Sequence, residues 1–133
     1  MRLLIIENSE LIRKMTSLAF PSREHELIEA ENGVTALALL AGTGRPFDAI
    51  VLDLQMPDMN GVEFLRRLRE RALHRQTPVV VATSERDDSP LLEEVRQMGV
   101  AEIVKKPWKP RELAEAVQRA CAASQPGEGH PGE

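Results

Sequence analysis

Five short apolar runs punctuate the chain, at residues 3–6, 27–28, 49–52, 79–82 and 103–104. The first, third and fourth do not alternate with polar residues, the pattern of strands buried on both faces of a parallel sheet. Between the runs, apolar residues recur at helical spacing. Leu11, Met15 and Leu18 stand at i, i+4 and i+7, and Val62, Leu65 and Leu68 at i, i+3 and i+6. Val95 and Met98 are three apart, and Leu113, Val117 and Ala120 repeat the pattern near the end. Each predicts an apolar stripe about 100° wide that lies on the sheet.

Local signals mark several boundaries. Asn60, with Glu63 three residues on, reads as a capped helix start. Ser89 followed by Pro90 reads as an N-cap with proline in the first helical position. Asn32 and Gly33 form a turn before 34–40, and Gly99 ends the helix that reaches Met98. The order is strand then helix, five times over, which implies an α/β fold of parallel strands with right-handed crossovers and helices on both faces. Residues 1–123 form one domain. Residues 124–133 hold three Gly, two Pro and no large apolar side chain, so a disordered tail is expected there.

Composition removes several function classes. A length of 133 residues suits one domain. A net charge of -4 argues against non-specific affinity for nucleic acid, and 3% aromatics with no Tyr leaves no base-stacking platform. The one cysteine, Cys121, excludes an internal disulfide and a Cys-based zinc cluster. No apolar run is long enough to cross a membrane, and the opening run is too short for a secretory signal, so a cytoplasmic protein is expected.

In an open parallel sheet, ligands bind beyond the carboxyl ends of the strands. The residues that follow the runs there are Glu7 and Asn8, then Asp53, then Thr83 and Ser84, then Lys105, Lys106 and Pro107. Each type alone has an ordinary structural role in a turn, a cap or a solvated face. Together they place a carboxylate pair, a hydroxyl and an ammonium on one rim. Two carboxylates suit Mg²⁺, which prefers oxygen ligands, and a hydroxyl with a lysine suits phosphoryl oxygens. An aspartate that attacks phosphorus yields an aspartyl phosphate.

These residues resemble the receiver domain of bacterial response regulators, the chemotaxis-regulator-like fold. The likeness covers roughly residues 2–122. Its most specific part is the segment 51–61, with Asp53 followed by Met56 and Pro57 and later by Gly61. Glu31, Asn32 and Gly33 match a second strand–helix junction, and Lys106, Pro107 and Trp108 a lysine–proline–aromatic segment. The resemblance implies a flavodoxin-like (βα)5 sheet of order 2-1-3-4-5. It implies that Asp53 accepts a phosphoryl group from a sensor histidine kinase or a histidine phosphotransfer protein. Thr83 would be the switch hydroxyl, Lys106 the phosphoryl-pairing lysine, and the Lys106–Pro107 peptide cis. Glu7, Asn8, Asp53 and the backbone carbonyl of Gln55 would hold Mg²⁺. Gln55 and Glu85 stand where the family varies its dephosphorylation rate. The helix 4–strand 5–helix 5 face would signal to a partner protein, with no direct contact to nucleic acid or membrane and no turnover enzyme activity.

Two departures stand out. Asn8 replaces the second acid of the family's usual pair, so Mg²⁺ affinity is expected to fall. Ile103 stands where an aromatic rotamer switch is common, and isoleucine is stiff and has no polar tip. They motivate an alternative, a degenerate pseudo-receiver that binds partners without phosphorylation. An Asp-nucleophile phosphohydrolase would want a second aspartate where Gln55 stands, and a flavin-binding protein would want a less acidic loop than residues 7–10.

Overall fold

Strand β1 (Arg2–Ile6) is an inner strand of a five-stranded sheet, in a computed structural model that describes residues 1–124. It is followed by α1 (Glu10–Ala19), β2 (Glu26–Ala30), α2 (Gly33–Gly42), β3 (Ala49–Leu52) and α3 (Gly61–Arg69). A 3₁₀ turn (Ala72–His74), β4 (Val79–Thr83), α4 (Pro90–Gln97), β5 (Glu102–Lys105) and α5 (Pro110–Ser124) complete it. The sheet order is β2-β1-β3-β4-β5 and every pairing is parallel. The sequence expectation of a doubly wound (βα)5 fold is met. Ser124, placed in the expected tail, is the last residue of α5; the rest of that tail lies outside the described residues.

The non-alternating runs are explained by two apolar layers. Leu4, Ile6, Ile50, Leu52, Val79 and Val81 face α2, α3 and α4. Their neighbours Leu3, Ile5, Ala49, Val51, Val80 and Ala82 face α1 and α5. With both faces covered, alternation has no purpose. Full burial of each large aliphatic contributes roughly 1.5–3 kcal/mol. The stripes of α3 and α5 fall on the core as expected: Val62, Leu65 and Leu68 are buried, as are Leu113, Val117 and Ala120.

The expected stripe of α1 does not hold. Leu11 is 67% exposed and Leu18 71%. The inward face is formed by Ile12, Met15, Thr16 and Ala19. Polar anchors set this rotation. Arg13 Nη1 donates to the Glu7 carbonyl at 2.6 Å while its Nε pairs with Glu29 at 3.2 Å. Thr16 tolerates burial because its hydroxyl donates to the Ile12 carbonyl at 2.9 Å.

The predicted caps are present. Asn60 accepts from Glu63 N, and Ser89 from Leu91 N and Leu92 N with Pro90 opening α4. Asn32 caps α2 by accepting from Thr35 N. Gly99 has φ of 78°, the left-handed turn that releases the chain from α4 toward β5.

Candidate functional site

The ladder runs one residue past β1 and β3. Glu7 N donates to the Ala30 carbonyl and Asp53 N to the Ile6 carbonyl, each at 3.0 Å. This fixes where two acidic side chains begin on adjacent strands. Both are sheltered, with Glu7 5% and Asp53 7% exposed. Lys106 arrives from just beyond β5, where its N donates to the Thr83 carbonyl at 2.8 Å and its peptide to Pro107 is cis. Its Nζ lies 2.8 Å from Glu7 Oε1 and 3.5 Å from Asp53 Oδ1. Glu7 Oε2 also accepts from Ser9 N at 3.1 Å.

Burial, and next the Glu7 carboxylate, push the Asp53 carboxyl above its ordinary range. Lys106 and the backbone N–H of Gln55, 3.3 Å from Asp53 Oδ1, only partly offset this. Two sheltered carboxylates thus face the one ammonium of Lys106. Thr83 closes β4, fully buried, and its Oγ1 accepts from Glu85 N at 2.9 Å.

The loop after Asp53 is held by close packing. Gly61 N donates to the Leu54 carbonyl at 3.0 Å, and a Cβ on Gly61 would stand 2.4 Å from Leu54 Cδ2 and 3.2 Å from Leu54 Cα. Asp58 ties the same loop to α2, accepting from Val34 N at 2.7 Å and Gly33 N at 3.2 Å.

A second cluster borders the site. Gln55 Nε2 donates to the Glu85 carboxylate, and Ser89 Oγ donates to Glu85 Oε1 at 2.5 Å. Lys105 Nζ donates to the Glu85 carbonyl and pairs with Asp87 at 3.0 Å. Of the residues singled out from sequence, Glu7, Asp53 and Lys106 are brought into contact, with Gln55 bonded to Asp53. Thr83 joins them through the Lys106 backbone. Asn8 is exposed on the same rim and makes no hydrogen bond to them. The tether from Lys105 to the loop was not legible beforehand. Its signal is the β4–β5 register, which pairs Thr83 with Lys105.

The donor set suits a hard cation. Two buried carboxylates offer oxygen ligands, and the Asn8 amide stands on the same rim. Among the described residues no group of three or more His, Cys, Asp or Glu converges to hold a metal, so any such ion relies on amide and backbone oxygens as well.

A doubly wound sheet whose carboxyl rim carries a buried acid pair and a bridging lysine defines a class of signalling domain that works at strand ends. The response regulator receiver domain model matches residues 3–118, and the chain belongs to that family, the receivers of two-component systems. It is 29% identical over 126 residues to the phosphate regulon transcriptional regulatory protein PhoB of Pseudomonas aeruginosa, covering 95% of this chain and 54% of that protein. It is 28% identical over 123 residues to the transcriptional regulatory protein SrrA of Staphylococcus aureus, covering 92% and 48%. The chain thus spans about half the length of these curated relatives. The chemotaxis response regulator CheY4 of Vibrio cholerae shares 31% identity at a TM-score of 0.79, over 90% of this chain and 97% of that one. Receivers of this kind are signalling domains phosphorylated by histidine kinases, and they generally bind Mg²⁺ at an acidic pocket. Among the described residues no helix is long and apolar enough to cross a membrane.

Proposed function

We propose that Asp53 is the phosphoacceptor of a two-component phosphorelay, in a cytoplasmic protein. The donor is the phosphohistidine of a sensor kinase or a histidine phosphotransfer protein. A carboxylate oxygen of Asp53 attacks phosphorus, the O–P bond forms as the P–N bond breaks, and the imidazole, already protonated on its other ring nitrogen, leaves as the neutral ring with the P–N electron pair. Lys106 Nζ pairs with the phosphoryl oxygens, and the Thr83 hydroxyl turns from its own loop to donate to them. Glu7, Asp53, the Asn8 amide oxygen and the Gln55 carbonyl would hold Mg²⁺, which supplies charge neutralisation when bound. The reading of output is by a partner protein on the surface of α4, β5 and α5.

The observation that carries this is a single ammonium within reach of both sheltered carboxylates at the strand ends. The raised Asp53 pKa supports it, since a more basic carboxylate is the better nucleophile. Incubation with acetyl phosphate and Mg²⁺ is expected to add one phosphoryl mass to the intact protein, and Asp53→Asn to abolish the gain. Labelling that persists in the Asn variant overturns the choice of acceptor.

A further inference from the structure

We propose that Glu85 is a charge-sensing latch that ties the first turn of α4 to the Asp53 site and lets go when Asp53 carries a phosphoryl group. This rests on Asp53 being the phosphoacceptor, and it names how occupancy of that site is passed on.

The latch is a continuous chain of hydrogen bonds. Asp53 Oδ1 accepts from Gln55 N, and the Gln55 side chain donates to the Glu85 carboxylate. The other oxygen of that carboxylate accepts the Ser89 hydroxyl proton. Ser89 Oγ in turn accepts from Leu91 N and Leu92 N, at 3.2 and 3.4 Å. The Ser89 hydroxyl therefore has both roles filled: its proton is committed to Glu85 and its lone pairs to the start of α4. Glu85 orients the very cap on which the eight-residue α4 begins.

Two consequences of phosphorylation converge on Glu85. A phosphoryl group brings about -1.5 to -2 of charge beside Gln55, whose side chain is bonded to the Glu85 carboxylate. Repulsion acts on that carboxylate. At the same time Thr83, whose Oγ1 now accepts from Glu85 N, must turn to meet the phosphoryl oxygens, which breaks the backbone bond of the same residue. Both ends of Glu85 are loosened by one event. Lys105 receives the displaced loop, because its ammonium already binds the Glu85 carbonyl and Asp87 and remains a counter-charge for the acids of 85–88. Ile103, partly buried on β5 and packed on the apolar layer that includes Leu92 and Val95 of α4, supplies no hydrogen-bonding group for such a link.

Amide hydrogen exchange of the full chain reads the latch directly. On Mg²⁺-dependent phosphorylation by acetyl phosphate, exchange at Leu91, Leu92 and Glu93 is expected to rise roughly two- to fivefold, the size of a weakened N-cap. Glu85→Gln keeps an acceptor for Ser89 and removes the charge, so the rise should shrink to the part that the Thr83 turn alone produces, although the phosphoryl mass is present. Glu85→Ala should show the faster exchange before phosphorylation. A phosphorylated wild type with unchanged exchange overturns the latch alone. So does a Gln variant that responds like wild type, or an Ala variant whose resting exchange is unaltered. Failure of wild type to gain the phosphoryl mass overturns the phosphoacceptor reading, and the latch with it.

Discussion

Lys106 sits closer to Glu7 than to Asp53, at 2.8 Å against 3.5 Å. Glu7 thereby holds the ammonium in place while Asp53 keeps an oxygen for chemistry. Lys106→Met removes the only counter-charge that two sheltered carboxylates have among the described residues. It should cost about 2 kcal/mol of stability, read from the urea midpoint, and suppress phosphorylation of Asp53. A variant with unaltered midpoint would show that the pair is not electrostatically coupled to folding.

The two aspartates of the 53–60 loop should respond to pH with opposite sign. Asp53 titrates above its ordinary value in the folded protein, chiefly through burial and then Glu7, so its ionisation weakens the fold. Stability falls as pH rises from the unfolded value through the raised folded one, and the penalty is constant above it. Asp53→Asn should therefore melt a few degrees higher at pH 7, with the gain shrinking as pH falls through the raised folded value and gone below pH about 4. Desolvation is the largest single influence on Asp58 and acts to raise it, but the N–H groups of Val34, Gly33, Asp58 itself and Met59 together outweigh it and hold its carboxyl below the usual range. Its contribution is present above the unfolded value and lost as pH falls through the depressed one. Asp58→Asn should melt slightly lower at pH 7, the difference closing in acid; exposure keeps it small. Parallel melting curves from pH 3 to 8 check both signs.

Asn8 lies on the acidic rim without a bond to it, available to a cation. Asn8→Asp restores one formal charge at a few ångströms and should tighten Mg²⁺ by about tenfold. Calorimetric titration measures this directly. Trp108, the sole tryptophan, is buried two residues past Lys106, and its emission gives an independent readout. Equal affinities would place Asn8 outside the coordination sphere.

The outward leucines of α1 lie on the helix that starts at the rim, just after Glu7 and Asn8. Since Leu18 contributes little to the core, Leu18→Glu should change stability by less than about 0.5 kcal/mol. On the proposed reading, with the donor reaching Asp53 at the rim where α1 begins, it should slow phosphotransfer from a kinase and leave labelling by acetyl phosphate intact. A matching loss with both donors would point to a defect in the site itself.

Gly61 faces Leu54 so closely that a methyl group has no room. Gly61→Ala should cost about 2 kcal/mol by forcing Leu54 and the loop after Asp53 to shift. It should also lower phosphorylation because that loop carries Gln55. Urea unfolding and labelling of the same sample test the two effects together.

Strand positions, helix order and the caps at Asn60 and Ser89 were readable because they depend on neighbours in the chain. The rotation of α1 was not. Its ten residues hold two overlapping stripes, and the choice depends on Arg13 meeting Glu29 across to β2. The rim residues Glu7, Asp53 and Lys106 were readable from topology, since each directly follows a strand. What joins Gln55, Glu85, Ser89 and Lys105 was hidden, because it needs three loops placed at once. Only the resemblance had named Gln55 and Glu85 together, and it did not say that they touch.

The middle strands β1, β3 and β4 spend their side chains on the two apolar layers, and the chemistry begins one residue later or at the last strand position. Scaffold and timing are consequently written in separate letters. Exchanges at residues 55, 85 and 105 therefore leave both apolar layers that hold the sheet together untouched.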